Sequence, residues 1–475
     1  MGKVRILEIK ESVFADNGRQ ADQLRIRLKE KGVFLMNLMS SPGSGKTTTL
    51  KRTIAALKDD LRIGVMEADI DSDVDALAIA ETGAKAIQLH TGGMCHLDAK
   101  MTEQGIEGLG IEDVDLAILE NVGNLVCPAE FDTGASKNVM ILSVPEGHDK
   151  PLKYPLMFEV CDAVLIAVPH YQHPELSIDA LQHNLHVMCE KPAGVYTKQV
   201  REMNEVAKKT NRVFAMMFNQ RTNPLYQKVK EILDAGTIGE LRRVTWIITS
   251  WWRTQKYYDS SAWRATWAGE GGGVLVNQAP HQLDLLQWLC GMPSLMEAHL
   301  KYGSHRDITV EDDVTAYFEY PNGATGTFIT CTHDALGTDR LEIHGDNGKI
   351  IITDSKCVTV KKMDKPEDVW NHELDFRQML ALVKGQTQQK LYTEETFECP
   401  ENWDQQHIDV LINFTNAIAK GEELIAPGAE GIKAVEIANA MFLSDWLGHA
   451  VTIPVDDELF YAKLQEKVQE EKNRK

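Results

Sequence analysis

No run of apolar residues approaches the roughly 18 that a membrane-spanning helix needs. The opening MGKVRILEIK also has no hydrophobic signal core. A cytoplasmic location away from membranes is therefore expected. Gly2 would suit N-myristoylation, but Ile6 stands where that motif requires Ser or Thr. Positive charge is short as well: 50 Lys and Arg against 70 Asp and Glu give a net charge of -20. That argues against a broad footprint for nucleic acid or an anionic membrane, and leaves only a local anion site built from backbone amides. The eight cysteines, at 95, 127, 161, 189, 290, 331, 357 and 399, contain no C-x-x-C and no compact scaffold spacing, which fits reduced thiols. Repeats and low-complexity linkers are missing too. What remains is ordinary globular composition, 43% hydrophobic and 25% charged over 475 residues, enough for about three domains of ~150 residues.

Two textures follow one another. From about residue 33 to 220, short apolar runs alternate with helical stretches: VFLMNLMS, RIGVMEAD, AKAIQLHT, VDLAILENVG, NVMILSVPEG, DAVLIAVP, HVMCEK and RVFAMMFN. Near-continuous apolar strands separated by helices predict an α/β fold with a doubly wound parallel sheet covered on both faces. After about Arg221 the strands lengthen, alternate and turn aromatic, as in LRRVTWIITSWW, DVTAYFEYP and GATGTFITCTH. Asn322-Gly323 and Asn347-Gly348 are hairpin signals. This half predicts an α+β domain with a mostly antiparallel sheet. Helices are expected near 404–420 and 429–448, with a charged helix or frayed tail at the end.

The strand VFLMNLMS runs into Ser40-Ser41-Pro42-Gly43-Ser44-Gly45-Lys46-Thr47-Thr48 and then a helical stretch, the context that a Walker A loop requires. Gly43, Ser44 and Gly45 let amides converge on phosphates, Lys46 adds a point charge, and the Thr47 hydroxyl suits Mg²⁺, with Thr48 beside it. Ser40 replaces the usual first glycine. Asp69, at the end of the second strand, is a candidate Mg²⁺ contact, and Glu120, ending VDLAILE, suits placement of the metal or the attacking water. Asp71, Asp73 and Asp75 fit better as acids at a helix N-terminus. Cys95-His96 and Cys127 follow strands and could meet at one sheet edge, where thiolate and imidazole suit Zn²⁺ or Ni²⁺. On the residues alone, two buried cysteines and a surface histidine stay open as the alternative.

S-S-P-G-S-G-K-T-T, E-A-D-I-D-S-D-V-D-A, H-T-G-G-M-C-H-L-D-A, E-N-V-G-N-L-V-C-P-A-E-F-D and E-G-H-D-K-P-L-K-Y-P, in that order, resemble the nickel-insertion GTPases of the HypB type over about residues 1–166. The resemblance implies GTP binding and hydrolysis, hydrogenase-maturation partners, a homodimer formed through the G domain, and metal ligands at Cys95, His96 and Cys127. The cysteine motif and His-rich stretch that some relatives carry near the N-terminus are absent, so no separate high-affinity nickel site is expected. Ala68 replaces a common glycine. The family's Asn-Lys-x-Asp, whose Asp selects guanine, is replaced by Ala167-Val168-Pro169-His170. Loss of that planned hydrogen bond predicts retained phosphate and Mg²⁺ binding with relaxed base selection.

From the same strand a second resemblance begins. D-A-V-L-I-A-V-P-H-Y-Q-H-P, H-V-M-C-E-K-P, G-E-G-G-G-V-L-V-N-Q-A-P-H-Q-L-D-L-L-Q-W-L and G-D-N-G-K-I-I-I are similar to Gfo/Idh/MocA oxidoreductases over about 162–475. That family passes a hydride between NAD(P) and a sugar, inositol or other small polyol. The match implies Lys191 as its catalytic or proton-relay lysine and His281 as its general acid/base. Asn277 stands where many members have Asp. The family's opening strand, G-x-G-x-x-G turn and ribose-binding acid are missing upstream of Asp162, so NAD(P) binding is expected to be lost or severely weakened. The expected organisation is a P-loop segment at 1–166, the second half of a Rossmann-type fold at 167–220, and an α+β domain for substrate or oligomerisation at 221–475. The two nucleotide-binding folds are expected to share one hybrid sheet. Three functions remain: the GTPase, the oxidoreductase, and an inactive metal-binding chimera.

Overall fold

The computed structural model describes residues 5–8, 16–69, 74–123, 126–143, 157, 160–399 and 403–474. The alternating texture of the first half folds into nine strands: β1 (Arg5–Glu8), β2 (Phe34–Met39), β3 (Ile63–Asp69), β4 (Lys85–His90), β5 (Leu116–Glu120), β6 (Lys137–Ser143), β7 (Ala163–Ala167), β8 (His186–Cys189) and β9 (Phe214–Met216). They form one sheet in the order β1-β4-β3-β5-β2-β6-β7-β8-β9, and every neighbouring pair from β1 to β8 is parallel. The two resemblances, which overlap at about residues 162–166, therefore meet inside a single sheet at β7, which pairs with β6 from Val139↔Ala163 through Ser143↔Ala167. β1, which the sequence patterns did not predict, adds the far edge beside β4.

Strand parity explains why helices cover both faces. Leu35, Met66, Ala117 and Leu119 pack with Leu24 and Leu28 of the helix Asn17–Glu30 and with Met101 and Ile106 of the helix Ala99–Leu109. Residues of opposite parity, Leu38, Val65 and Ile118, pack with Leu50 and Ile54 of the helix Lys46–Leu57 and with Ile79. Successive side chains leave a strand on opposite faces, so uniformly apolar strands demand cover on both.

The second half forms another nine-stranded sheet: β10 (Leu241–Ile248), β11 (Leu295–Tyr302), β12 (Glu311–Glu319), β13 (Thr325–Cys331), β14 (Asp339–Gly345), β15 (Gly348–Thr353), β16 (Cys357–Met363), β17 (Tyr392–Glu398) and β18 (Val451–Thr452). Its order is β17-β16-β15-β14-β10-β13-β12-β11-β18, antiparallel throughout except for β10 against β13. Both Asn-Gly signals fall at hairpin turns, where Asn322 Oδ1 accepts the Ala324 amide (3.0 Å) and Gly323 takes φ +83°. Alternation buries one face: Val244, Trp246 and Ile248 are buried along β10, and Trp246 meets Phe328 edge-on at 6.1 Å. β18 pairs only with the start of β11. Beyond it, the outward amides of Ala298 and Leu300 donate to Ser444 Oγ (3.1 Å) and Asp445 Oδ1 (2.8 Å) of the helix Gly431–Leu447, which blunts an edge that would otherwise invite pairing.

Two compact units result, Met1–Glu190 with Met203–Ala215 and Phe414–Glu423, and Lys191–Glu202 with Met216–Asn413 and Leu424–Lys475. No helix among the described residues is long and apolar enough to cross a membrane.

Candidate functional site

In the first unit, β2 ends at Met39 and the chain turns through Ser40–Gly45 into the helix Lys46–Leu57. Gly43 and Gly45 take φ +77° and +91°. A Cβ would touch nothing within 4 Å at either, so backbone conformation and not space requires glycine there. The loop leads into the first turn of the helix, the positive end of its dipole. Lys46 is buried and aims inward. Its Nζ donates to Ser40 Oγ (3.2 Å) and lies 4.0 Å from Glu120 Oε1. Ser40, in place of glycine, is thus the resting partner of the lysine. Thr47 Oγ1 donates to Glu120 Oε1 at 3.2 Å, Ser44 shares a hydrogen bond with Ser40, and Thr48 faces solvent.

Strand register places an acid pair beneath the loop. β5 lies between β2 and β3, with Glu120 opposite Leu38 on one side and Glu67 on the other. Both carboxylates are buried, and Glu67 Oε1 and Glu120 Oε2 have no hydrogen-bond partner among the described residues. Burial, reinforced by the neighbouring Glu120, pushes Glu67 far above the usual carboxylate range. Burial also raises Glu120, against the pull of Lys46. Glu67 therefore holds a proton at neutral pH and donates it toward Glu120. The sequence patterns single out Asp69, yet Asp69 ends β3 half-buried, and Glu67, two residues earlier, is the acid paired with Glu120. Asp75 is exposed, and Asp71 and Asp73 lie outside the described residues. Asp115, just before β5 at the end opposite Glu120, is tied to Arg62, which pulls its carboxyl down to about 2.

At the same edge, turns with Gly92 and Gly93 at φ +64° and +96° follow β4, and Cys127 opens the short helix Cys127–Glu130 after β5. The structure joins Cys95 and Cys127 in a disulfide, with Cα atoms 6.0 Å apart. This corrects the expectation of reduced thiols at these two positions. Strands flanking β3 deliver the cysteines within disulfide reach although 32 residues separate them. His96 stacks on Phe131 (ring centroids 3.6 Å apart), and burial lowers its pKa, which keeps a nitrogen lone pair at neutral pH.

Beyond β7, Val168–His170 occupy the position expected for base selection, and His170 and His173 are buried, with His173 Nε2 2.8 Å from the Val168 carbonyl. No carboxylate stands at 167–170. The stretch EGHDKPLKYP lies outside the described residues.

The second unit holds the other predicted pair. Lys191 Nζ donates to the Asn277 carbonyl (2.8 Å), and the Asn277 side-chain amide donates to the buried Glu270. Glu270 also accepts the Ala265 amide at 2.5 Å, and burial raises its pKa against these bonds. Asn277, where many relatives of this pattern carry Asp, thus holds a glutamate that the sequence patterns did not single out. His281 sits in the first turn of the helix Pro280–Cys290, its Nδ1 without a hydrogen-bond partner among the described residues. Burial, with Lys191 and His407 adding, lowers its pKa well below the usual value. One turn on, Asp284 forms a two-pronged pair with Arg221 (2.8 and 2.7 Å).

The family described as CobW/HypB/UreG, nucleotide-binding domain, matches residues 34–213, and the GFO/IDH/MocA C-terminal domain matches residues 226–351. Hydrogenase maturation factor HypB of Rhizobium leguminosarum bv. viciae is 48% identical over 166 residues, covering 35% of this chain and 56% of that protein. Hydrogenase/urease maturation factor HypB of Helicobacter hepaticus is 44% identical over 165 residues, covering 34% of this chain and 67% of that protein. The chain thus spans little more than half the length of the first of these relatives. Among solved structures, levoglucosan dehydrogenase in complex with NADH aligns over 89% of this chain and 100% of its own with a TM-score of 0.57 at 18% identity, a likeness of fold alone. The chain belongs to the CobW/HypB/UreG nucleotide-binding family through residues 34–213, and residues 226–351 form a GFO/IDH/MocA C-terminal domain.

Proposed function

We propose that the first unit binds and hydrolyses GTP or a related nucleoside triphosphate, coupled to nickel or zinc binding as in hydrogenase maturation, with relaxed selection of the base. The carrying observation is the buried Lys46–Thr47–Glu120 arrangement under a loop held open by two positive-φ glycines. Thr47 Oγ and the Glu120 carboxylate are hard donors that fit Mg²⁺, which would neutralise charge on the phosphate oxygens, and Glu67 would join them only by giving up its proton. The amides from Gly43 to Thr48 would cradle the phosphates. Lys46 would exchange Ser40 for a phosphate oxygen, and Glu120, with Asp69 nearby on the same edge, would orient the attacking water. Cys95, His96 and Cys127 are the proposed metal set, in the state where the two sulfurs are reduced thiolates. A homodimer and maturation partners belong to the same reading.

Fluorescent-nucleotide titration with Mg²⁺ tests it. Lys46→Ala should weaken binding or turnover about a hundredfold or more, the scale of removing one preorganised charge donor. Equal activity in the variant would overturn the assignment, and a large preference for GTP over ATP would overturn relaxed base selection.

A second reading, oxidation of a sugar or small polyol with NAD(P), is favoured by the Lys191–Asn277–Glu270 chain beside a neutral buried His281. NAD(P) does not fit what the chain offers: no G-x-G-x-x-G stands in the sequence upstream of Asp162, and the glycine loop around Lys46 has the pattern of a phosphate loop. No hydride step is therefore derived, and tight NADH binding in a fluorescence titration would reinstate that reading.

A further inference from the structure

We propose that His305, Asp313 and His333 in the second unit form a binding site for a divalent first-row transition-metal ion, with Zn²⁺ as the probe. No motif brings these residues together; register does. Asp313 lies in β12 opposite Cys331 of β13, which sets His333 just past the end of β13, and His305 comes from the connection between β11 and β12. One ligand atom from each lies within 4.8 Å of the others. His333 Nε2 is 3.1 Å from Asp313 Oδ2, and the two imidazole centroids are 4.0 Å apart. Metal–ligand bonds of about 2.1 Å in a tetrahedron place ligand atoms roughly 3.4 Å apart, so closing around an ion needs only small side-chain movements.

The frame is held before any ion arrives. The buried Asp312 accepts the Ser304 and His305 amides at 3.1 and 2.9 Å, and its carbonyl accepts the Thr332 amide at 3.0 Å. Arg306 anchors the same loop through Nε to the Arg253 carbonyl at 2.7 Å. One buried aspartate thus fixes the segments carrying both histidines, the supporting shell that a metal site needs. Two imidazoles and one carboxylate suit Zn²⁺, Ni²⁺ or Cu²⁺ over Mg²⁺ or Ca²⁺. Each histidine ligates as the neutral ring, with its proton on the other nitrogen, and the ion replaces the His333–Asp313 hydrogen bond. His305 is exposed, which leaves coordination positions to water or a small ligand.

The test uses the full chain carrying Cys95→Ser and Cys127→Ser, so that metal binding at those positions is removed. Equilibrium dialysis against Zn²⁺ should lose one bound ion per chain when His305→Ala or His333→Ala is added, and no ion with His299→Ala, an exposed histidine of β11. Zn²⁺ should raise the melting temperature of the double-serine protein, and His305→Ala should abolish that rise. His305 is solvent-facing, so its loss leaves the fold intact, which the melt without Zn²⁺ checks. Unchanged stoichiometry and an unchanged Zn²⁺-dependent rise in His305→Ala would overturn the site.

Discussion

The chemistry beneath the phosphate loop and the chemistry around Lys191 are built on opposite principles. In the first unit, Glu67 and Glu120 are buried with oxygens left unpartnered, and Lys46 rests on a weak neutral contact with Ser40. Unmet polar demand there costs stability and stores readiness for a ligand. In the second unit, Lys191, Asn277 and Glu270 satisfy one another, and Asp284 and Arg221 close a buried ion pair one helical turn beyond His281. The first region is arranged to receive something, whereas most of the second is already served by its own protein groups. His281, with Nδ1 unpartnered among the described residues, is one exception, and Arg264 Nε beside Glu270 is another.

The sharpest way to break this contrast is Asp284→Ala. Arg221 and Asp284 side chains are each 1% exposed, so removing the carboxylate strands a buried guanidinium, which Glu430 alone would have to balance. A loss of about 3–5 kcal/mol is expected in urea unfolding, and a loss under 1 kcal/mol would show that the second region is not held by internal pairing. Next in size is a pH effect. Unfolded, His281 takes up its proton near pH 6.5, while folded it resists far lower. Below about 6.5 the unfolded chain thus binds a proton that the folded chain refuses. Stability should fall with falling pH by up to about 1.4 kcal/mol per unit, and His281→Gln should flatten that slope in urea midpoints measured between pH 5 and 7.5. The smallest effect sharpens the first region: Gly45→Ala meets no neighbour, so its cost is the left-handed backbone alone, about 1–2 kcal/mol in thermal unfolding.

The sequence carries the parallel strands, the loop around Lys46 and the antiparallel second sheet, because each rests on a local pattern: apolar runs, glycine spacing, Asn-Gly turns. It does not carry what register decides. Glu67 looks like an interior strand residue until β3 is laid beside β5, and Glu120 then stands opposite. The four residues of β1 are too few to show a period. Cys95 and Cys127 meet only because their strands flank β3, and His305 and His333 only because β11, β12 and β13 run antiparallel. Asn277 illustrates the middle ground: its departure from the expected Asp was visible, but its partner Glu270 was not.

The pairing of β6 with β7 also sets where this chain can be cut. A fragment ending near residue 162 would stop at the boundary that the residue patterns suggest, yet it would strip β6 of five paired positions, Val139 through Ser143, in the interior of the sheet. That fragment would present a raw, apolar strand border to solvent and stick to other copies of itself. For this protein, the joint between β6 and β7 is a weld and not a perforation.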